Sequence, residues 1–330
     1  MKYKFDANLE DDETDHLERF ERMKPRPAWR HHRSITGPVT PQKKASYEGN
    51  QEVQRWLKEQ SVDDGAKVPF NPTFLASLRD APWILSSLGH FYEENLITDV
   101  LHTVKSGKEA TVYCCAANPA TGQEYLAAKV YRPRMFRSLS NDAIYREGRE
   151  ERDETGRVIS SARQQAGAIK KTSRYRRDRM AAWIEYEFQT QLLLHEAGAD
   201  VPKPFAQIGN AVLMEYIGEE GAAAPLLREV TLAREEAQPL FERLMRNIEC
   251  WLAHNRIHGD LSEYNILYWQ GNVTIIDFAQ AVDPHFNDRM FPLLARDIER
   301  VCRYFARYGV RANANAHASE LWSRYITGGL

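Results

Sequence analysis

His258-Gly259-Asp260-Leu261-Ser262-Glu263-Tyr264-Asn265 runs into Ile266-Leu267-Tyr268, a turn at Gln270-Gly271-Asn272, and then Val273-Thr274-Ile275-Ile276-Asp277-Phe278-Ala279-Gln280. Ile266–Tyr268 and Val273–Ile276 read as the two apolar arms of a hairpin around Gly271. Such a hairpin returns Asp277 to the side of Asn265. Phosphoryl transfer requires a carboxylate that orients the attacking hydroxyl. It also requires an amide oxygen and a second carboxylate that hold magnesium on the phosphates. Asp260, Asn265 five positions on, and Asp277 twelve beyond that supply those groups in that order. A surface loop leading into a core strand would also contain polar residues, but one short carboxylate motif is far commoner than this ordered set.

The rest of the chain bounds the reading. Its 330 residues suffice for one large or two modest domains, and a hydrophobic fraction of 43% allows a sizeable core. Lys and Arg number 44 against 46 Asp and Glu, so overall charge says nothing about nucleic acid, and only local runs can. Cys114, Cys115, Cys250 and Cys302 show no metal-ligand spacing and are expected to be reduced, partly buried thiols of a cytoplasmic protein. Residues 1–21 are acidic without an apolar stretch, so they do not read as a signal peptide. No apolar run approaches the ~18 residues of a membrane span.

Upstream, Val104 to Cys115 reads as strand, tight turn and strand, and Asn118 to Gly122 as a second turn. Glu124–Tyr131 reads as a third strand, with Tyr125, Ala127, Lys129 and Tyr131 on one face. A lysine on a strand behind a phosphate-covering hairpin is the cation expected for a nucleotide's phosphates. The hairpin has a single glycine, Gly107, in place of a glycine triplet, and Ser106 could donate its hydroxyl and backbone N–H groups instead. Met180–Ala197 is helical, closed by Gly198. Trp183, Ile184, Phe188, Leu192 and Leu194 span one broad face, with Glu187 inside that arc and Glu185 at its edge. A carboxylate on a buried face needs a cation, and Lys129 is the candidate.

Ala211–Met214 leads into Glu215-Tyr216-Ile217-Gly218, where a hinge would offer backbone groups to adenine, with Met214 and Tyr216 lining it. Helices are expected over Ala233–Asn255 and Leu293–Tyr308, and again over Ser319–Tyr325. Thr73–Phe91 has a helical pattern that Pro82 interrupts. Residues 1–68 read as a charged, disordered or loosely docked extension, with a basic run over 24–44. Residues 132–179 form a polar insertion with 14 Lys and Arg against 7 Asp and Glu, six of the basic residues lying between Lys170 and Arg179. Charge runs of this kind are usually solvated. They could also contact a ribosomal subunit, RNA or an acidic partner.

Together these segments resemble the RIO family of atypical serine/threonine protein kinases. Ser106-Gly107-Lys108-Glu109-Ala110-Thr111-Val112-Tyr113 resembles its phosphate loop, and Ala128-Lys129-Val130-Tyr131 its lysine strand. Glu185-Tyr186-Glu187-Phe188 resembles its helix motif, with Glu187 in the pairing position. His258 to Asn265 is close to its catalytic loop, and Ile276 to Gln280 to its metal loop. The likeness covers roughly residues 70–310 and points to the branch without an N-terminal winged helix. It implies a two-lobed, protein-kinase-like α+β fold, with a small β-rich N-lobe over 69–217 and a helical C-lobe over 218–330. It implies no activation segment, in keeping with the fifteen positions from Gln280 to Ala295. It further implies ATP as co-substrate, Mg2+, autophosphorylation, and ATPase turnover through a phosphorylated Asp277. In that scheme Asp260 serves the acceptor hydroxyl, Asn265 and Asp277 hold the metal, and Ser106, Lys108, Lys129 and Glu187 serve the phosphates. Family members act in small-subunit ribosome maturation, so a protein substrate or ribosome-linked switching is implied. A small-molecule phosphotransferase of the aminoglycoside-kinase type uses a similar His-Gly-Asp…Asn loop. Residues 106–113 and Gln280 favour the RIO reading over it.

Overall fold

The computed structural model describes residues 70–74, 81–107, 109–132, 173–286 and 290–330. The N-terminal extension, most of the 132–179 insertion, and Lys108 lie outside these residues.

Strands β1 (Ile97–Ser106), β2 (Ala110–Ala117), β3 (Tyr125–Tyr131), β4 (Pro204–Ile208) and β5 (Ala211–Glu215) form one antiparallel sheet in the order β1-β2-β3-β5-β4. Period-two alternation divides β3 between two environments. Leu126, Ala128 and Val130 enter a core with Ile84, Leu88 and Phe91 of helix α1 (Ala81–Glu93). Full burial of such side chains contributes roughly 1.5–3 kcal/mol each. Tyr125, Ala127, Lys129 and Tyr131 take the other face, as their spacing requires. Pro82 does not break α1. Among the described residues the helix runs Ala81–Glu93 with Pro82 inside it.

Helix α2 (Ser173–Glu196) crosses behind the sheet and begins a full two turns earlier than its apolar stripe. Its buried residues serve two cores. Met180, Trp183 and Ile184 pack with Tyr131, Val212 and Ala279, whereas Leu194 joins the C-terminal core. The connection from α2 to β4 is anchored at Asp200. Arg243 grips its carboxylate with Nε and Nη2, both at 2.7 Å, and Asn247 Nδ2 adds a third bond at 2.7 Å.

The short strands β6 (Gly218–Glu219) and β7 (Ala222–Ala223) follow the sheet, then helix α3 (Arg234–Ala253). At Gly218, φ is 141°, and an added Cβ would lie 2.5 Å from the Ala222 carbonyl oxygen, so only glycine fits between β6 and β7. Beyond α3 come the loop at His258 and the hairpin of β8 (Ile266–Trp269) and β9 (Asn272–Ile275). Helices α4 (Phe291–Ala306) and α5 (Ala314–Ile326) complete the described chain. Leu240, Leu244, Ile248 and Trp251 of α3 pack with Ile266, Ile275, Leu294, Ile298, Val301 and Phe305 in one large core. The hairpin is held on both sides, by Ile275 N to the Asp200 carbonyl at 2.7 Å and by Tyr268 N to the Pro225 carbonyl at 2.9 Å.

Candidate active site

The hairpin delivers what its sequence promises. Gln270 and Gly271, at φ 48° and 78°, make the reversal between β8 and β9. Register pairs Ile266 with Ile275, and Ile276 N donates to the Asn265 carbonyl at 2.9 Å, which sets Asp277 beside Asn265. Asp277 then adopts left-handed backbone angles, φ 70° and ψ 67°, a conformation that Asp and Asn tolerate better than other side chains. Its carboxylate meets the Lys129 ammonium at 2.8 Å.

Lys129 lies between two carboxylates. Its Nζ is 2.7 Å from Glu187 Oε1 on α2 and 2.8 Å from Asp277 Oδ1. Burial alone would lower the Lys129 pKa, but Asp277 and Glu187 outweigh it and hold the ammonium well above its ordinary value. For Asp277, desolvation raises the carboxyl and the Lys129 charge more than reverses it, so the group lies below the usual carboxylate range. Glu187 is only 3% exposed, and its Oε2 accepts a bond from the Tyr131 hydroxyl. Glu185 is exposed and takes a bond from Gln189 instead, so the helix presents Glu187 to the lysine strand.

The catalytic-type loop is held backbone atom by backbone atom. Asp297 of α4 is 2% exposed and accepts from Gly259 N at 2.8 Å and Leu261 N at 3.1 Å. Burial pushes its carboxyl up to about 7 against the pull of those donors and of Arg296. Arg296 donates to the Gly259 carbonyl, and Asn265 Nδ2 donates to the Asp260 carbonyl at 2.9 Å. His258 is buried against Phe278 and Trp251, with ring centroids 4.8 Å and 5.8 Å away. Asp260 N donates to its Nδ1, so its Nε2 carries the proton toward the Ile276 carbonyl, and burial lowers its pKa toward the neutral ring. The Asp260 side chain is half-exposed and pairs with Arg300 Nη1 at 2.7 Å.

Asn265 and Asp277 present oxygen donors, which suit a hard divalent cation. With its amide nitrogen engaged on Asp260, Asn265 keeps its amide oxygen for such an ion. Among the described residues no group of three or more His, Cys, Asp or Glu side chains is placed to hold a metal. Two protein ligands, with water and phosphate completing the shell, is the manner in which magnesium is usually bound.

The remaining candidates lie on the sheet and just past its last strand. Ser106 pairs with Thr111 across the β1–β2 turn, and its hydroxyl accepts from Arg132 Nη2 at 2.6 Å. The same Nη2 reaches Thr111 Oγ1 at 2.7 Å, so one guanidinium ties the hairpin together. Met214 accepts from Gln191 Nε2 through its sulfur at 3.7 Å, and Tyr216 stacks edge-on against Tyr125. Lys108 is outside the described residues. Asp297, Arg296, Arg300 and Arg132 are not evident as site residues from the sequence, and Tyr131, placed there on the Lys129 face, turns out to bond Glu187. Asp297 had a signal there. It stands in the apolar stripe of Leu294, Ile298 and Val301, so the argument applied to Glu187 applies to it equally.

Comparison with known proteins agrees with this geometry. The RIO domain family matches residues 112–318. The chain is 32% identical over 216 residues to serine/threonine-protein kinase RIO1 of Caenorhabditis elegans, covering 63% of this chain and 37% of that protein. It is 30% identical over 235 residues to the RIO-type serine/threonine-protein kinase Rio1 of Methanocaldococcus jannaschii, covering 70% of each. Over the first of these relatives it spans well under half of the length. In fold it resembles the Rio2 kinase–ADP/Mg2+–phosphoaspartate complex from Chaetomium thermophilum, with a TM-score of 0.50, 19% identity, and coverage of 71% of this chain and 65% of that one. A lysine strand, a helix glutamate, a His-Gly-Asp loop and an Ile-Asp hairpin meet through these bonds, within a matched span that exceeds half the sequence. The chain belongs to the RIO family of atypical protein kinases.

Proposed function

We propose that this chain is an ATP- and magnesium-dependent serine/threonine protein kinase of the RIO type, acting in the cytoplasm and phosphorylating itself. One observation carries the reading. Lys129 joins the helix carboxylate Glu187 to the hairpin carboxylate Asp277, and Asn265, one residue before β8, bonds the Asp260 carbonyl. Little covalent chemistry is asked of the protein, so positioning and charge neutralisation lower the barrier. Asp260 orients the acceptor hydroxyl and takes its proton as the new O–P bond forms and the γ-phosphorus parts from the bridging oxygen, releasing ADP. Lys129, steadied by Glu187, neutralises phosphate oxygens, and Asn265 and Asp277 hold the magnesium, which when bound spreads charge away from the transferring group. The short connection from Gln280 to α4 supports a site without an activation segment. The RIO1 relatives are serine/threonine-protein kinases, which supports protein as the acceptor, and family membership disfavours a small-molecule acceptor.

The test is incubation of purified protein with γ-labelled ATP. Wild type is expected to label itself. Asp260→Ala is expected to lose transfer while keeping ATP affinity, and labelling at the wild-type rate would overturn the role given to Asp260. A second reading, an ATPase switch through a phosphorylated Asp277, is favoured by the depressed Asp277 carboxyl and by the phosphoaspartate named for the Rio2 complex. Asp277→Asn and hydroxylamine treatment separate an acyl phosphate from phosphoserine. Attachment to ribosomal particles through residues 24–44 and 170–179 would weaken steeply with salt, and salt-insensitive binding would count against it.

A further inference from the structure

We propose that Arg300 is a positioning residue for the carboxylate of Asp260, an inference that rests on the kinase reading above. The catalytic-type loop is fixed at its main chain by other groups. Asp297 holds the N–H groups of residues 259 and 261, Arg296 the carbonyl of 259, and Asn265 the carbonyl of 260. None of these touches the Asp260 side chain, which is half-exposed and has two free torsions. Among the described residues its carboxylate forms one ion pair, between Oδ1 and Arg300 Nη1 at 2.7 Å.

Arg300 is well placed for such a task. It stands one helical turn beyond Arg296 and three residues beyond Asp297, so a single face of α4 supplies all three contacts. That helix is rooted in the core by Ile298, Val301 and Phe305, all 2% exposed or less. By binding Oδ1, the guanidinium sets the carboxylate rotamer and leaves Oδ2 as the atom that receives the hydroxyl proton. The proton moves from the acceptor oxygen to Oδ2 as that oxygen bonds the γ-phosphorus of ATP and the bond from phosphorus to the bridging oxygen breaks, its electron pair leaving with ADP. Arg300 itself neither gains nor loses one. A misplacement of about 1 Å at a reacting group costs up to about 100-fold.

Kinetics of Arg300→Met, Arg300→Lys and Arg300→Ala test the proposal, with Glu299→Gln as control. Glu299 is exposed on the same helix and pairs only with Arg303 at 3.7 Å among the described residues. Arg300→Met is expected to lower kcat for phosphotransfer ~10- to 100-fold with nucleotide Kd unchanged. Arg300→Lys should recover part of the rate, and added guanidinium should partly rescue Arg300→Ala, which loss of packing alone would not allow. Wild-type kcat in Arg300→Met, or equal loss in Met and Lys variants without rescue, would overturn the proposal. A rise in kcat would also overturn it, because the ion pair would then restrain Asp260 rather than aim it. Failure of the underlying kinase reading looks different, since wild type would then show no Asp260-dependent transfer at all.

Discussion

At the scale of single residues, Lys129 carries the heaviest electrostatic duty. Glu187 is buried, and Lys129 is its cation, so removing the lysine strands a charge away from water. Breaking such a pair from one side costs about 3–5 kcal/mol. Lys129→Met is therefore expected to lower unfolding stability by about 3 kcal/mol. Adding Glu187→Gln should return part of that loss, and a double-mutant cycle by denaturant titration measures it. Asp297 makes a different prediction. Its folded pKa, about 7, lies above the ordinary 3.8, so the folded state holds a proton that the unfolded chain has released between those values. Stability from this group is fully present below the ordinary pKa and is lost as pH rises through about 7. Each pH unit within that window removes up to about 1.4 kcal/mol. Unfolding midpoints from pH 5 to 8 should fall more steeply in wild type than in Asp297→Asn, and parallel profiles would contradict the assignment.

Elements were legible where one physical rule governs them. The β8–β9 hairpin is legible because two apolar arms flank a turn at Gln270-Gly271-Asn272, although its strands, Ile266–Trp269 and Asn272–Ile275, differ by a residue from the arms the sequence suggests. Its glycine sits at φ 78°, where a Cβ costs about 1–2 kcal/mol. Gly271→Ala should cost about 1 kcal/mol of stability and leave the phosphotransfer rate of the folded fraction intact. A rate loss larger than the stability loss would show that turn strain reaches Asp277. The lysine strand and Glu187 were legible for the same reason, since period and burial demanded a partner. Less was legible in α2 and α4. The start of α2 at Ser173 is polar and carries no stripe, so hydrophobic periodicity had nothing to register. Asp297 was masked by the apolar residues around it, and Arg296 and Arg300 look in sequence like ordinary solvated arginines. Their partners are backbone atoms and a carboxylate nearly 40 positions away, contacts that exist only after α4 folds back on the loop.

At the scale of the molecule, one core joins the sheet to α1 and another joins helices α3 to α5 to the hairpin, and the Lys129–Asp277 bridge ties the sheet to the hairpin. A nucleotide held between Lys129 and Asp277, as proposed above, would touch both the sheet and the hairpin and should stabilise the whole fold. At 100 times its Kd the expected gain is about 2.7 kcal/mol. Thermal unfolding with and without magnesium and ATP should show that gain in wild type and a reduced one in Asp277→Asn. Helix α2 packs Met180, Trp183 and Ile184 with Tyr131, Val212 and Ala279 and sends Leu194 into the C-terminal core, and mechanically it is a lever. Its far end is bolted at Asp200 to α3 and the hairpin, and Glu187 lies nine residues up the rod from Glu196. At 1.5 Å per residue that is an arm of roughly 14 Å. A tilt of only about 5° about the bolt would swing the Glu187 carboxylate by about 1 Å on such an arm. That displacement is enough to open a 2.7 Å bridge to Lys129, so a few degrees of rotation at one pivot would suffice to switch the cation's tether on or off.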